Sequence, residues 1–354
     1  MTALGRHLAT IPGPQFTAGL AHLSPAEQRE ALGERFRYDR QHFIKWLWPE
    51  AYARPFARYH VDILSRDKVG WKDRVNSGSK TLRALAAPRS TSKTGITCAD
   101  LAHDVLYGLE RVVPVLSAEL TLSRTSLATI RELLSAQTVT DLYGPVTFKG
   151  GVDRYTATTA NGYACTFIAK SFGTSVRGLK EGMIRPTRLI VDDGEDKLRV
   201  NNPDIRRDWW DFLQADILKL GDLAGGLIVD WLGTVLHRDS VLAKLIKPDG
   251  DGAGWESEVY RACEQRPTNP ALWDACGRVW GNLGLDGEWF DRAETWHEGP
   301  GRETRPGRRH IPFRLLRPLD QRRRAAFQFY QAHREDMDRG VRMLSDDWIN
   351  IFSY

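Results

Sequence analysis

One stretch of this sequence restricts its fold more than any other. The apolar run Thr81-Leu-Arg-Ala-Leu-Ala-Ala87 passes into the polar loop Pro88-Arg-Ser-Thr-Ser-Lys-Thr94. Beyond it, Ile96, Leu101, Val105, Leu106 and Leu109 recur on one helical face, to about Glu110. A strand, a compact loop and a helix in that order form the frame of a phosphate-binding loop, G-x-x-x-x-G-K-S/T. Its glycines let backbone N–H groups face the phosphates, its lysine reaches the β and γ oxygens, and its hydroxyl ligates Mg2+. Here the eight positions are Ala87, Pro88, Arg89, Ser90, Thr91, Ser92, Lys93 and Thr94, with alanine and serine at the glycine positions. Small residues keep the loop compact, although a non-glycine residue at positive φ costs energy. Taken alone, the loop leaves two readings open: a nucleotide cradle, or a polar turn that contains a lysine.

A phosphate-loop ATPase needs a second part. An apolar strand ending in a carboxylate holds Mg2+, and an acid nearby activates the attacking water. Arg188-Leu-Ile-Val-Asp-Asp-Gly-Glu-Asp196 supplies both. Asp192 ends the strand and forms, with Thr94, the candidate metal-binding pair. Asp193 and Glu195 are both placed to orient or deprotonate water, and the longer reach of Glu195 favours it. An acidic turn after a strand is common by itself. Together with the loop it points to a site for ATP and Mg2+.

The remaining elements alternate. Residues 20–65 read as helical, with Ser24 as N-cap and Pro25 in the first turn. Val112–Leu116 reads as a strand and Leu120–Leu134 as a helix. Residues 145–169 read as short antiparallel strands with Asn161-Gly162 as the hairpin signal. Leu189–Val191 and Leu227–Leu232 are further strands, separated by a helix over Asp204–Leu218. Such alternation predicts an α/β fold, a mostly parallel sheet flanked by helices. With the loop and the acid strand added, the expected class is a P-loop NTPase of the ASCE type. The expected organisation is a helical segment at 1–80, an ATPase core at 81–262, and a small, mainly helical lid or linker region at 263–354.

Three segments carry a family resemblance. "APRSTSKT" resembles the A-P-R-x-x-small-K-S/T variant loop of the large terminases of tailed bacteriophages. "FGTSVRGLKEGMIRPTRLIVDDGED", residues 172–196, resembles their V-R-G segment leading into the Walker B strand. "GTVLHRDSVLAKL", residues 233–245, resembles their coupling motif. Their order and spacing fit over roughly residues 55–260.

The resemblance implies an ATP-hydrolysing motor that drives double-stranded viral DNA into a procapsid. Its partners would be the portal protein, the small terminase subunit and further copies in a ring, a pentamer when assembled, working in the host cytoplasm. It also implies that Thr234 and His237 sense the γ-phosphate, and that Tyr59 stacks on adenine with His60 at the recognition position. A helix packed on the core accounts for Tyr59 and His60 equally well. Such motors use an arginine to neutralise charge on the γ-phosphoryl group. Arg89 would act in cis and Arg177 in trans, or Arg177 forms a salt bridge across its own loop. The family's nuclease domain would only be about to begin where this sequence ends, so nuclease activity is not expected of it. The stretch 328–340 resembles the linker to that domain.

Charge adds a little. The net charge is +5, and nine arginines fall between Arg302 and Arg324, against Glu303 and Asp320. Guanidinium clusters suit phosphate contacts, but a charge run is also an ordinary solvated face. The four cysteines, Cys98, Cys165, Cys263 and Cys276, show no C-x-x-C spacing and read as reduced, buried residues. No secretory leader or membrane span is expected. Two other functions stay open: another helicase-like phosphate-loop ATPase, and a weak or inactive module for DNA binding or assembly.

Overall fold

The computed structural model describes residues 8–260, except 9, 12, 53–54, 66–68, 90, 223–224 and 248, together with 289–290 and 311–312. The N-terminal part carries the helices α1 (Gly13–Leu20), α2 (Pro25–Phe36), α3 (Arg40–Leu47), α4 (Arg58–Leu64) and α5 (Trp71–Ser77). At the start of α2, Ser24 accepts the Glu27 N–H while Glu27 accepts the Ser24 N–H, a closed capping box. Asp39 then caps α3 by accepting the His42 N–H at 3.0 Å. The segment that reads as one helical stretch is therefore broken by its own capping chemistry.

The core follows as β1 (Thr81–Ala86), α6 (Lys93–Leu106), β2 (Val112–Ser117), α7 (Leu120–Ser135), α8 (Gln137–Tyr143), β3 (Thr147–Gly150), β4 (Arg154–Thr158), β5 (Ala164–Ser171), β6 (Arg188–Asp192), α9 (Pro203–Ala215), β7 (Ile228–Gly233), α10 (Val241–Leu245) and β8 (Glu256–Val259). The sheet order is β3-β4-β5-β2-β6-β7-β1-β8. From β5 to β8 every neighbouring pair is parallel, and β3, β4 and β5 form an antiparallel ribbon at one side. The loop strand β1 and the acid strand β6 are separated by one strand, β7. That is the ASCE-type phosphate-loop NTPase order. Strands β2, β6 and β7 are buried along their whole length, as in a sheet covered on both faces, and the charged Arg188 and Asp230 within them pair with one another.

Register aligns the chemistry. Ala86 pairs with Gly233 and Asp192 with Leu232, so the loop, the acid turn and the residue after β7 emerge at one sheet edge. Carboxyl ends of parallel strands are where open α/β sheets bind ligands.

One face of the sheet packs on α9 through Phe172, Trp209, Phe212 and Trp231, with Phe172 and Trp231 ring centres 4.9 Å apart. The other face carries α6 over a buried ionic cluster. Arg188 of β6 donates to Asp230 of β7 (2.8 Å) and to Asp100 (3.0 Å) and Asp104 (2.5 Å) of α6. All four side chains are almost fully buried. The cluster thus fixes the helix that begins at Lys93 to the strand that ends at Asp192.

Several sequence expectations change in detail. Gly108 adopts φ 68° and ends α6 near Leu106, short of Glu110. Asn161-Gly162 lies inside a wider 159–163 loop that Thr159 and Tyr163 close through a backbone hydrogen bond of 2.9 Å. Strand β8, without a long apolar run, pairs with β1 beyond the glycine-rich turn. The chain divides into two compact units, Met1–Arg261 and Ala262–Tyr354. In the second, β9 (Trp289–Phe290) pairs antiparallel with β10 (Ile311–Pro312). The arginine-rich stretch 302–324, the 328–340 segment, Cys263 and Cys276 otherwise lie outside the described residues. Cys98 and Cys165 are free and buried. Among the described residues, no helix is long and apolar enough to cross a membrane.

Candidate functional site

The loop leaves β1 at Ala87, whose N–H donates to Gly233 O at 2.9 Å and ties it to the end of β7. At the second glycine position Ser92 adopts φ 57° and ψ 24°, the left-handed conformation that glycine normally supplies. That conformation costs a serine on the order of 1 kcal/mol. The Ser92 hydroxyl lies 3.1 Å from the Tyr52 hydroxyl. Close packing is transferred to Gly95 instead, where a Cβ would sit 2.9 Å from the Tyr52 oxygen and 3.1 Å from Ser92 Oγ. The sequence thus keeps a glycine, displaced three residues along.

Lys93 is buried and its Nζ donates to Pro88 O at 2.7 Å, with Thr234 Oγ1 at 3.5 Å. Thr94 donates its hydroxyl to Asp192 Oδ2 at 2.6 Å. The other carboxylate oxygen, Asp192 Oδ1, is buried with no hydrogen-bond partner. Burial pushes the Asp192 carboxyl up to about 6, with Asp193 adding to the rise while the Thr94 hydrogen bond and Lys93 oppose it. An orphaned, desolvated carboxylate oxygen beside a threonine hydroxyl fits a hard divalent cation. Among the described residues no three or more His, Cys, Asp or Glu converge on a metal position. Mg2+ here would therefore depend on phosphate oxygens for much of its ligand shell, as it commonly does.

The acid turn divides its two candidates. Asp193 adopts φ 45°, its side chain is exposed, and its Oδ1 accepts the Thr234 N–H at 3.2 Å. Glu195 is buried. Its Oε1 accepts the Val241 N–H at 2.7 Å and its Oε2 the Leu242 N–H at 3.1 Å, capping α10 from outside the helix. Burial raises the Glu195 carboxyl above its ordinary range, against those backbone hydrogen bonds. Both residues border a cleft of about 480 Å³ that Arg89, Thr91, Ser92, Lys93, Thr94 and Thr234 also line. Ala118, Glu119 and Leu122 form its far wall.

Other expected site residues lie elsewhere. Tyr59 and His60 are buried and turned toward the loop backbone: both side chains bond the Thr91 carbonyl, His60 Nε2 at 2.9 Å. Neither borders the cleft. His237 is turned into its own segment, where its Nδ1 accepts the Asp239 N–H at 3.0 Å, while Thr234 alone of the coupling pair reaches the cleft. Arg177 is exposed and donates through Nε to Asp216 Oδ1 at 2.5 Å, away from this cleft. Arg89 is exposed and borders it. Ser90 lies outside the described residues. Sequence reasoning missed Tyr52, Gly95 and the link from Glu195 to α10. Only Gly95, next to Thr94, left a local signal; the other two depend on contacts between distant segments.

No protein-family model matches the chain, and no curated protein matches it. Among solved structures, the chain is similar to the large terminase of bacteriophage HK97, with a TM-score of 0.40 and 12% identity, over 82% of this chain and 51% of that one. It therefore spans about half the length of that protein. It is also similar to the ATPase domain of the large terminase of Thermus phage P74-26, as a mutant (TM-score 0.38, 9% identity) and without that mutation (0.36, 10%). Each of these two matches covers 64% of this chain and 94% of that one.

Proposed function

We propose that this chain binds and hydrolyses ATP, as the ATPase portion of a terminase-type motor that translocates double-stranded DNA into a viral procapsid. One observation carries the ATPase reading: the Thr94 hydroxyl meets Asp192 while the other Asp192 oxygen is buried and unpartnered. The packaging role rests on the resemblance of residues 86–95, 172–196 and 233–245 to terminase motifs. Duplex DNA, a portal protein, a small terminase subunit and further copies of the chain would be its partners.

Lys93 would exchange the Pro88 carbonyl for β and γ phosphate oxygens. Thr94 and Asp192 would hold Mg2+, which when bound neutralises charge developing on the phosphates. Asp193, open to the cleft, suits the role of orienting water for attack on the γ-phosphorus and accepting its proton. ADP leaves as the bond to the β-γ bridging oxygen breaks. Glu195 suits a different role, because both of its oxygens already bind the N–H groups that begin α10. Thr234 touches Asp193 and the loop carbonyl Ala87 O, the latter at 3.0 Å, so it connects the acid turn to the phosphate loop. Arg89 in cis or Arg177 in trans would neutralise charge on the γ-phosphoryl group.

The test is ATP hydrolysis by the purified chain, with and without duplex DNA, beside Lys93→Ala. Turnover that Lys93→Ala abolishes and duplex DNA stimulates supports the reading. Turnover unchanged by Lys93→Ala would remove the loop from the mechanism. Stimulation by single strands alone would favour a helicase-like ATPase.

A further inference from the structure

We infer that Tyr59 and His60 are positioning residues for phosphate: by holding the Thr91 carbonyl behind the loop, they aim the Ser92 N–H into the cleft. The inference rests on the phosphate-loop reading above and gives the pair a task other than recognising a base.

The Thr91 carbonyl accepts two side-chain hydrogen bonds, from the Tyr59 hydroxyl and from His60 Nε2. The histidine is set up for this. Its Nδ1 accepts the Ala57 N–H at 3.3 Å, which leaves the proton of the neutral ring on Nε2, facing Thr91. Burial drops its pKa to about 4, so the ring is neutral near pH 7. Both rings lie on α4, and neither borders the cleft that Thr91 and Ser92 line.

The consequence is geometric. A trans peptide is planar, with its C=O and N–H antiparallel. Once the Thr91 C=O is fixed toward α4, the N–H of the same peptide, which belongs to Ser92, points away from α4 and toward the cleft. Ser92 then turns the chain with φ 57°, and a left-handed residue in such a loop curls neighbouring N–H groups around an anion. In a standard loop glycine reaches this conformation without steric cost. Here Ser92 occupies it, and two side chains from outside the loop fix the peptide plane before it.

The experiment measures dissociation constants of the full chain for ATP, GTP and inorganic tripolyphosphate, each with Mg2+. The proteins are wild type, Tyr59→Phe, His60→Leu, His60→Gln and Lys93→Ala, each checked for folding by circular dichroism and Tm. Misaiming one charge-assisted hydrogen bond should weaken binding by about tenfold. Tyr59→Phe and His60→Leu are expected to lose that factor equally for all three ligands, because tripolyphosphate has no base. His60→Gln presents an amide donor where Nε2 stood and is expected to stay within about twofold of wild type, a rescue that packing alone does not supply.

Loss confined to the nucleotides, or differing between ATP and GTP, would instead make the pair a base platform and overturn the inference. So would unchanged tripolyphosphate affinity with a lowered Tm, which is the signature of packing only. Tripolyphosphate binding that survives Lys93→Ala, or no binding by wild type, would strike the phosphate-loop reading itself and this assignment with it.

Discussion

Glu195 and Val241 stand 46 residues apart, yet Glu195 Oε1 accepts the Val241 N–H at 2.7 Å and its second oxygen takes the Leu242 N–H. A carboxylate engaged in this way is poorly free to take a proton from water. Asp193, two residues earlier, is bound by a single longer contact from Thr234. Asp193→Asn is therefore expected to keep nucleotide affinity and lower turnover by about 10²–10⁴, the range for loss of a general base. Glu195→Gln, left with one acceptor for two N–H groups, should keep turnover within a few fold and lose about 1 kcal/mol of stability. Single-turnover kinetics and urea melts on the two variants check this. The reverse ranking would return the catalytic role to Glu195.

Arg188 makes a second, purely structural case. Its guanidinium balances Asp100, Asp104 and Asp230 where water does not reach. Arg188→Met leaves those carboxylates buried without their central counter-charge, and breaking such a cluster costs about 3–5 kcal/mol. Chemical denaturation reads this directly. A loss below about 1 kcal/mol would mean that Arg40 and Arg83, which also approach Asp100 and Asp230, balance the cluster without Arg188.

His60 ties stability to pH. Its folded pKa of about 4 lies below the ordinary value of 6.5. Between those values the unfolded chain binds a proton that the folded chain excludes, so stability rises with pH across this window and levels off above it. The full contribution is roughly 3 kcal/mol. Melting wild type and His60→Gln at pH 4.5 and pH 7.5 isolates it: wild type should lose more on acidification than the variant. Equal losses would show that His60 does not carry the dependence.

Arg177 separates two ways of completing the site. Its exposed guanidinium is held by Asp216 of the same chain, outside the cleft. If it serves a neighbouring subunit, specific activity should climb with protein concentration, and Arg177→Ala should bind ATP yet lose the assembled-state rate. Mixing Arg177→Ala with Lys93→Ala should then partly restore turnover. Concentration-independent activity with a fully active Arg177→Ala would leave the task to Arg89, which already borders the cleft.

How far the sequence carried varies with the kind of interaction involved. Strands β1, β2, β6 and β7 were legible because a sheet covered on both faces demands short, mainly apolar runs, broken here only by the buried Arg83 and Asp230, and such runs beside helical spacing state that demand locally. Thr94 and Asp192 were legible as partners because the chemistry requires a hydroxyl at the start of the helix after the loop and a carboxylate at the end of a strand. What stayed hidden depends on side-chain direction. Tyr59 suits an adenine and a backbone carbonyl alike, and its hydrogen bond to the Thr91 carbonyl shows only once α4 is packed against the loop. The contact of His237, whose ring accepts the amide two residues on, was likewise not announced by its place in the motif. Strand β8 has too few apolar residues to announce itself, and its place is fixed by the free edge of β1.

The hydrogen bond from Lys93 to Pro88 O has a consequence for ligand choice. The loop carries its own competitor, since any anion must draw the ammonium from a carbonyl dipole already 2.7 Å away. A weakly charged ion gains little by that exchange. A polyphosphate gains more, because its attraction grows with charge while the carbonyl's hold does not. If Lys93 binds phosphate as proposed, the internal contact acts as a threshold, setting how much negative charge a ligand must bring before the lysine changes partners.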